Sequence, residues 1–312
     1  MSTTWGLVAT ILAPAEEILH FAAYHLERGA HRVIIYLDAE NAQAHAALKA
    51  HPKCRVFTCT DAWWEKRGGR PQKHQVRQAE NATQAYRRRA DVDWLIHMDV
   101  DEFLVADQNI AARLGALPAD TRVARVRPME ALAGTLTAFK GFVPAEAGRA
   151  RIIRELYPTY GDHVKGGFLS HLAGKVFIRT GLPDVSLRIH NGFQNGAEIK
   201  GLDLDQDDIA LAHCHAKTWE QWLGAYRFRL SRGSYREGLA PNKPREDGGV
   251  SLNELFSMIE KTDGEAGLRA FFEEVCADSP ALRARLARHG LLREAHLTLK
   301  QPLSSHFPGL TL

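Results

Sequence analysis

Short apolar strands alternate with amphipathic helices from Trp5 to Met98, and this alternation restricts the chain to a mostly parallel sheet covered on both faces. Trp5 to Leu12 reads as a first strand. Pro14 to Arg28 reads as a helix with Pro near its first turn and Gly29 as its stop. A second strand spans Arg32 to Asp38, a helix Ala39 to Ala50, and a third strand Cys54 to Cys59. Pro71 to Arg89 is a long helix with Val76, Ala79, Thr83 and Tyr86 on one face, and Val92 to Met98 is the fourth strand. Ligands of such sheets bind beyond the carboxyl ends of the strands.

Carboxylates gather at that rim. Asp38 ends the second strand, Asp61 follows the third, and Asp99 and Asp101 finish the fourth. Side chains alternate along a strand, so Asp99 and Asp101 leave the same face and can share one hard divalent cation, which favours oxygen ligands. A cation there could grip a diphosphate. A lone Asp-x-Asp more often starts a turn or caps a helix; convergence from three segments is what favours a site. Asp38 is placed to accept hydrogen bonds from a nucleoside base or ribose, as acidic residues after a second strand do in nucleotide-binding sheets. Gly-x-Gly-x-x-Gly, Gly-Lys-Ser/Thr and Gly-x-Ser-x-Gly are all missing. Their absence argues against a dinucleotide fingerprint, a P-loop and an α/β-hydrolase elbow.

The 312 residues, 45% of them hydrophobic, suffice for one large domain with a helical appendage. The expected division is a catalytic domain over 1–240 and a helical extension over 241–312. A net charge of +3 predicts no nucleic-acid partner, although basic residues cluster at Arg87, Arg88 and Arg89 and between Arg227 and Arg245. Cys54, Cys59, Cys214 and Cys276 form no Cys-x-x-Cys pair, which fits reduced thiols and a cytoplasmic location. The first residues lack a basic leader, and no apolar run approaches the roughly 18 residues of a spanning helix.

From Thr121 to Ile189 short β-like runs, Arg122 to Arg127 and Lys175 to Thr180 among them, are separated by an irregular part from Gly134 to Gly148. Ile209 to Lys217 then places His213 and His215 on one face of a strand and Cys214 on the other. His213 is a candidate for the metal or the phosphates. The helix that follows carries Trp219, Trp222 and Tyr226 at core spacing and crowds Arg227, Arg229, Arg232 and Arg236 at its end. These arginines, with Lys217, form a solvated basic face or neutralise a leaving diphosphate. Ser251 to Leu292 reads as two or three amphipathic helices, with Arg283, Arg285, Arg288 and Arg293 as a basic surface suited to peripheral contact with an anionic membrane.

Several segments together resemble the glycosyltransferase family 2-like proteins related to family 92: Glu16-Glu17, Tyr24-His25-Leu26 with Gly29, Tyr36 with Asp38, Arg77-Gln78, Trp94 through Asp99, Asp101-Glu102-Phe103, Gly174-Lys175, His213 with Lys217, and Arg232-Gly233. The likeness spans about residues 5 to 235, and its most specific part is the Asp-x-Asp-Glu-Phe block. It implies a GT-A (Rossmann-like) mixed, mostly parallel sheet flanked by helices, a UDP- or GDP-linked sugar donor, and Mn2+ or Mg2+ held by Asp99 and Asp101 with His213 completing the shell. It also adds Gln78, Lys175, Lys217 and Arg232 to Asp38 as donor-binding residues.

A departing nucleoside diphosphate builds negative charge, which a divalent ion and cationic side chains stabilise. An inverting transfer needs a general base, for which Glu102 and Asp162 are the candidates. The expected activity is metal-dependent transfer of a hexose to a glycan or lipid-linked acceptor in surface polysaccharide synthesis. A dinuclear metal hydrolase using His97, Asp99, Asp101, His213 and His215 is one alternative, and a non-catalytic glycan-binding protein is another.

Overall fold

The computed structural model describes residues 2–88 and 91–310, so the expected end of the long helix at Arg89, and the third member of that arginine triplet, lie outside the described residues. In chain order the first elements are β1 (Trp5–Ile11), α1 (Ala15–Glu27), β2 (Arg32–Leu37), α2 (Ala42–Ala50), β3 (Cys54–Thr58), α3 (Asp61–Glu65), α4 (His74–Arg87), β4 (Trp94–His97), β5 (Glu102–Val105), α5 (Ile110–Gly115) and β6 (Val123–Val126). The expected strand and helix order holds. The short α3, capped by the Thr60 hydroxyl accepting from the Trp63 N–H, was not anticipated.

The chain then passes through β7 (Pro128–Ala131), β8 (Ala138–Gly141) and α6 (Arg149–Leu156), and continues into β9 (Lys175–Arg179), β10 (Val185–Leu187), β11 (Gly192–Gln194), β12 (Ala197–Glu198) and β13 (Leu202–Asp203). Beyond β14 (Ala210–His213) follow α7 (Trp219–Ser231), α8 (Leu252–Val275, bent at Gly264), α9 (Pro280–Arg288), β15 (Leu292–Glu294) and α10 (Lys300–His306). Contacts divide the chain into two compact units, one of residues 1–127, 173–211 and 298–312, the other of 128–172 and 212–297. These bounds differ from a single cut at residue 240.

The first unit is a mixed α/β layer. Its sheet has the order β13-β6-β9-β4-β1-β2-β3, with β4, β1, β2 and β3 parallel to one another and β9 antiparallel to both β4 and β6. Every residue of β1 is buried, as expected for a strand covered on both faces. The helix α1 buries Ile18, Leu19, Ala22, Ala23 and Leu26, and each such aliphatic side chain of Leu or Ile size contributes about 1.5–3 kcal/mol when fully buried. It ends as expected: Gly29 takes φ +90°, its N–H reaches the Leu26 carbonyl at 3.1 Å and the Ala30 N–H reaches the His25 carbonyl at 2.9 Å, a Schellman closure. The last helix, α10, packs back on α1, where the His20 ring nitrogen Nδ1 lies 3.1 Å from the Leu299 carbonyl.

The second unit pairs β15, β8 and β7 antiparallel, so the stretch expected to be irregular contains a true strand, β8. Its core joins Leu156 and Tyr157 to Trp222, Tyr226, Phe256, Phe271, Leu282 and Leu286. The aromatic spacing in α7 is core packing, as expected, with Trp222 and Tyr226 essentially inaccessible. Arg283, one of the arginines assigned to a membrane-facing surface, is bound bidentately by Asp278 at 2.5 and 2.9 Å. All four cysteines are buried, and none of them forms a disulfide. Among the described residues no helix is long and apolar enough to cross a membrane.

Candidate functional site

Strand β4 ends at His97, and the backbone turns over Asp99 to Glu102, the Glu102 N–H reaching the Asp99 carbonyl at 3.1 Å. Asp99 and Asp101 therefore sit in a turn between two strands, not on the strand itself. The sequence pattern placed them on β4 because the apolar run continues through Met98.

Within the first unit this turn is built around a lysine. Lys175 opens β9, is wholly buried, and places Nζ 2.6 Å from Asp99 Oδ2 and 3.3 Å from Glu102 Oε2. Glu102 Oε2 also accepts the Asp99 N–H at 2.8 Å, and Gln78 Nε2 donates to Asp99 Oδ1. Burial alone would lower the Lys175 pKa, but the Asp99 and Glu102 carboxylates outweigh it and raise it above the ordinary value. The ammonium therefore stays charged in a dry setting. His97 lies nearby; burial, with the Lys175 charge, lowers its pKa to about 4, so its ring is neutral.

Lys175 depends on the residue before it. Gly174 has φ +67°, and a Cβ there would lie 2.0 Å from the Val126 carbonyl oxygen. Gly174→Ala should therefore destabilise the fold by at least about 1–3 kcal/mol, since the backbone must leave both a strained conformation and a close approach. Chemical denaturation reads this directly, and an unchanged midpoint would refute it.

On the far side of β1 from that turn, Asp38 follows β2 with a fully buried side chain. Arg77 grips it with Nε 3.0 Å from each oxygen and Nη2 2.6 Å from Oδ2; Arg70 donates to Oδ1 at 3.0 Å and to the Asp38 carbonyl at 2.7 Å, and His74 Nδ1 stands 3.4 Å away. Burial pushes the Asp38 pKa up, yet His74, Arg77 and Arg70 together bring it below the ordinary carboxylate value. Sequence reasoning singled out Asp38 alone. Arg70 and Arg77 lie 32 and 39 residues away, and the one signal for either was the Arg77-Gln78 dipeptide.

That dipeptide organises the rim. Consecutive residues of α4 reach two carboxylates on strands flanking β1, Arg77 binding Asp38 after β2 and Gln78 binding Asp99 after β4. Below them Asn81 donates to Thr10 Oγ1 at 3.1 Å, fixing the helix to the end of β1. Asp38, Gln78, Asp99, Glu102 and Lys175 thus belong to one carboxyl-end rim, and Asp101 is half-buried in the same turn.

The other expected residues belong to the second unit. His213 and His215 do share a side of the chain, with ring centroids 5.4 Å apart, and His171 stacks obliquely on His213 at 5.1 Å. His215 Nε2 lies 3.0 Å from the Tyr235 hydroxyl, which also accepts from Trp222 Nε1 at 3.1 Å, so aromatic core packing orients it. Asp162 is held by Lys243 at 2.5 Å and Arg154 at 3.3 Å; Lys243 first, then Arg154, lowers its pKa and hence its basicity. Lys217 precedes the N-cap of α7 and Arg232 is its C-cap. The helix of 13 residues separates them by about 20 Å, so they do not converge.

No protein-family model matches the chain, and no curated protein matches it. Among solved structures it is similar to HddC from Yersinia pseudotuberculosis, with 9% identity over 73% of this chain and 100% of that one at a TM-score of 0.37. It is also similar to an active-site mutant of LgtC, with 12% identity over 56% of this chain and 57% of that one at 0.29. A third similar structure is galactosyltransferase LgtC in complex with donor and acceptor sugar analogues, at 13% identity, 56% and 57% coverage, and 0.27. Likenesses this low carry no argument about function, which rests on the chain's own residues.

Proposed function

We propose that the chain is a metal-dependent glycosyltransferase of GT-A type, taking a hexose from a UDP- or GDP-linked donor to a glycan or lipid-linked acceptor in the cytoplasm, in the making of a surface polysaccharide. The observation that carries this reading is the pairing of Arg77 with Asp38 and Gln78 with Asp99 across the carboxyl ends of β2 and β4, the two parallel strands that flank β1. Nucleotides bind at this edge in open α/β sheets, and the chain has no glycine-rich cradle to hold their phosphates.

The donor set suits a hard cation. Asp99 and Asp101 offer carboxylate oxygens on one tight turn, and an oxygen that accepts one hydrogen bond retains a second lone pair. Asp99 can thus serve Gln78 and Lys175 while facing an ion. When bound, a divalent ion would neutralise the diphosphate as it leaves.

The protein's own groups supply the rest. Lys175 fixes Asp99 and adds a buried positive charge on that side of the turn. Arg70, held by Asp38 and 36% exposed, presents a guanidinium suited to bidentate phosphate recognition. Glu102, wholly buried against Lys175 and the Asp99 N–H, acts as a positioning residue. Inversion would then take its base from elsewhere, since Asp162 is restrained by two cations.

Calorimetric binding of a panel of UDP- and GDP-sugars with Mn2+, repeated in EDTA and with Asp101→Ala, tests the reading. The expected result is binding that needs the metal and weakens roughly a hundredfold in the variant, about 2.7 kcal/mol. Binding of two metals and no nucleotide would point to the hydrolase instead. Sugar binding indifferent to EDTA and to the substitution would leave only a glycan-binding protein.

A further inference from the structure

The apolar face expected on α4 is only half covered within its own unit. Tyr86, at the C-terminal end, is buried and donates its hydroxyl to the Arg179 carbonyl at 2.9 Å. Thr83 exchanges hydrogen bonds with Leu187, accepting at 2.9 Å and donating at 3.3 Å, which ties the helix to the β10–β11 hairpin. Toward the N-terminus the face is open. Val76, 40% exposed, and Ala79 line a groove of about 1000 Å³ whose opposite wall is Leu187, Ile189 and Phe193.

The charge on this groove is one-sided. Arg87 and Arg88 stand on the helix wall and Arg188 on the hairpin wall, against a single lining carboxylate, Glu80. Among the described residues none of the three arginines has an ion-pair partner. Arginines in the last turn of a helix are ordinary, because they complement its dipole. That account does not reach Arg188, whose guanidinium lies on the other wall, 4.2 Å from the centre of the Phe193 ring.

We propose that the groove binds a single-chain lipid phosphate, its apolar chain along Val76, Ala79 and Phe193 and its phosphate against Arg87, Arg88 and Arg188. Guanidinium groups recognise phosphate oxygens bidentately. The volume lies at the upper end of the range of about 300–1,000 Å³ for sites that enclose one small ligand. An acidic amphipathic peptide shares the charge logic along the nearly four turns of α4 that line the groove, from Gln75 to Arg88, and the test separates it from the lipid.

The groove also adjoins the rim described above. Gln75 lines it, and Gln78, one turn further along α4, holds Asp99. If the transferase reading holds, the occupant is the lipid part of the acceptor. Binding itself does not depend on that reading, because it needs neither nucleotide nor metal.

The test is calorimetric titration of the full chain, in EDTA, with farnesyl phosphate below its micelle concentration, with farnesol and inorganic phosphate as separate titrants. Saturable binding at one site per chain is expected, weakened roughly tenfold or more by Val76→Asp and by Arg88→Glu with Arg188→Glu, with much weaker binding of farnesol and of inorganic phosphate. All three positions are exposed, so the melting temperature should not move, and a shift in it would disqualify a variant from the comparison in favour of Val76→Ser. Equal affinity in wild type and variants overturns the proposal. So does binding of inorganic phosphate as tight as that of the lipid, or saturable binding of an acidic amphipathic peptide alone.

Discussion

Lys175→Met should destabilise the first unit by about 3–5 kcal/mol and abolish the proposed donor binding, because it removes the buried cation and leaves the Asp99 and Glu102 carboxylates facing each other. Methionine roughly fills the space but carries no charge, so the loss is electrostatic. Mn2+ should recover more stability in the variant than in the wild type, since an ion can take over the neutralisation that Lys175 provides. The pH dependence has a definite sign. The folded pKa of Lys175 is raised, so its contribution is complete below the unfolded lysine value of about 10.4 and fades only as pH climbs through the higher folded value. The deficit of the variant should therefore be flat between about pH 6 and 9 and shrink in stronger alkali. Urea denaturation across that range measures it. A deficit under about 1 kcal/mol, the scale of an exposed ion pair, would remove Lys175 from the organisation of the site.

The elements that were legible in the sequence are those whose signal is local. β1 to β4 and the helices between them carry their periodicity within each segment, and Gly29 closes α1 by a rule that needs only five neighbouring residues. What was not legible depends on distant pairing. The antiparallel insertion of β9 between β4 and β6 joins segments some 80 residues apart in sequence, and nothing in Lys175 to Thr180 states its direction. The interleaving of the two units is of the same kind, since 128–172 and 212–297 meet only through tertiary contacts. Residue types at the rim could be read, as with Asp38 and Asp99, but their partners could not. Arg70 and Arg77 reach Asp38 from a loop and a helix whose sequence reads as solvated surface. Tertiary structure also decided the open half of α4: periodicity marks Val76 as apolar and says nothing of whether a neighbour will cover it.

Lys140→Met should cost the second unit a comparable amount, about 3–5 kcal/mol, for a reason the sequence concealed in a stretch that reads as irregular. Glu130 on β7 and Lys140 on β8 are direct cross-strand partners, wholly buried, with Nζ 2.6 Å from Oε1. The pair is fully satisfied: Lys140 also donates to the Val275 carbonyl at 2.8 Å, and Glu130 accepts the Leu169 and Ser170 N–H groups at 3.1 and 2.7 Å. Those last two bonds hold the segment that leads into His171, so the ion pair also positions one of the clustered histidines. Burial would raise the Glu130 pKa, but the charges of Lys140 and then His215, with hydrogen bonds from Lys140 and Ser170, bring it down to about 2. Its contribution is therefore present above the unfolded glutamate value of about 4.3 and is lost as pH falls through about 2. Glu130→Gln should reproduce much of the Lys140→Met deficit at neutral pH, because it strands the ammonium instead. The double variant should lose roughly 1–3 kcal/mol less than the two single losses added, since neither remaining group is charged. Additive losses would show that the two side chains act independently and that the buried pair is not what anchors this unit.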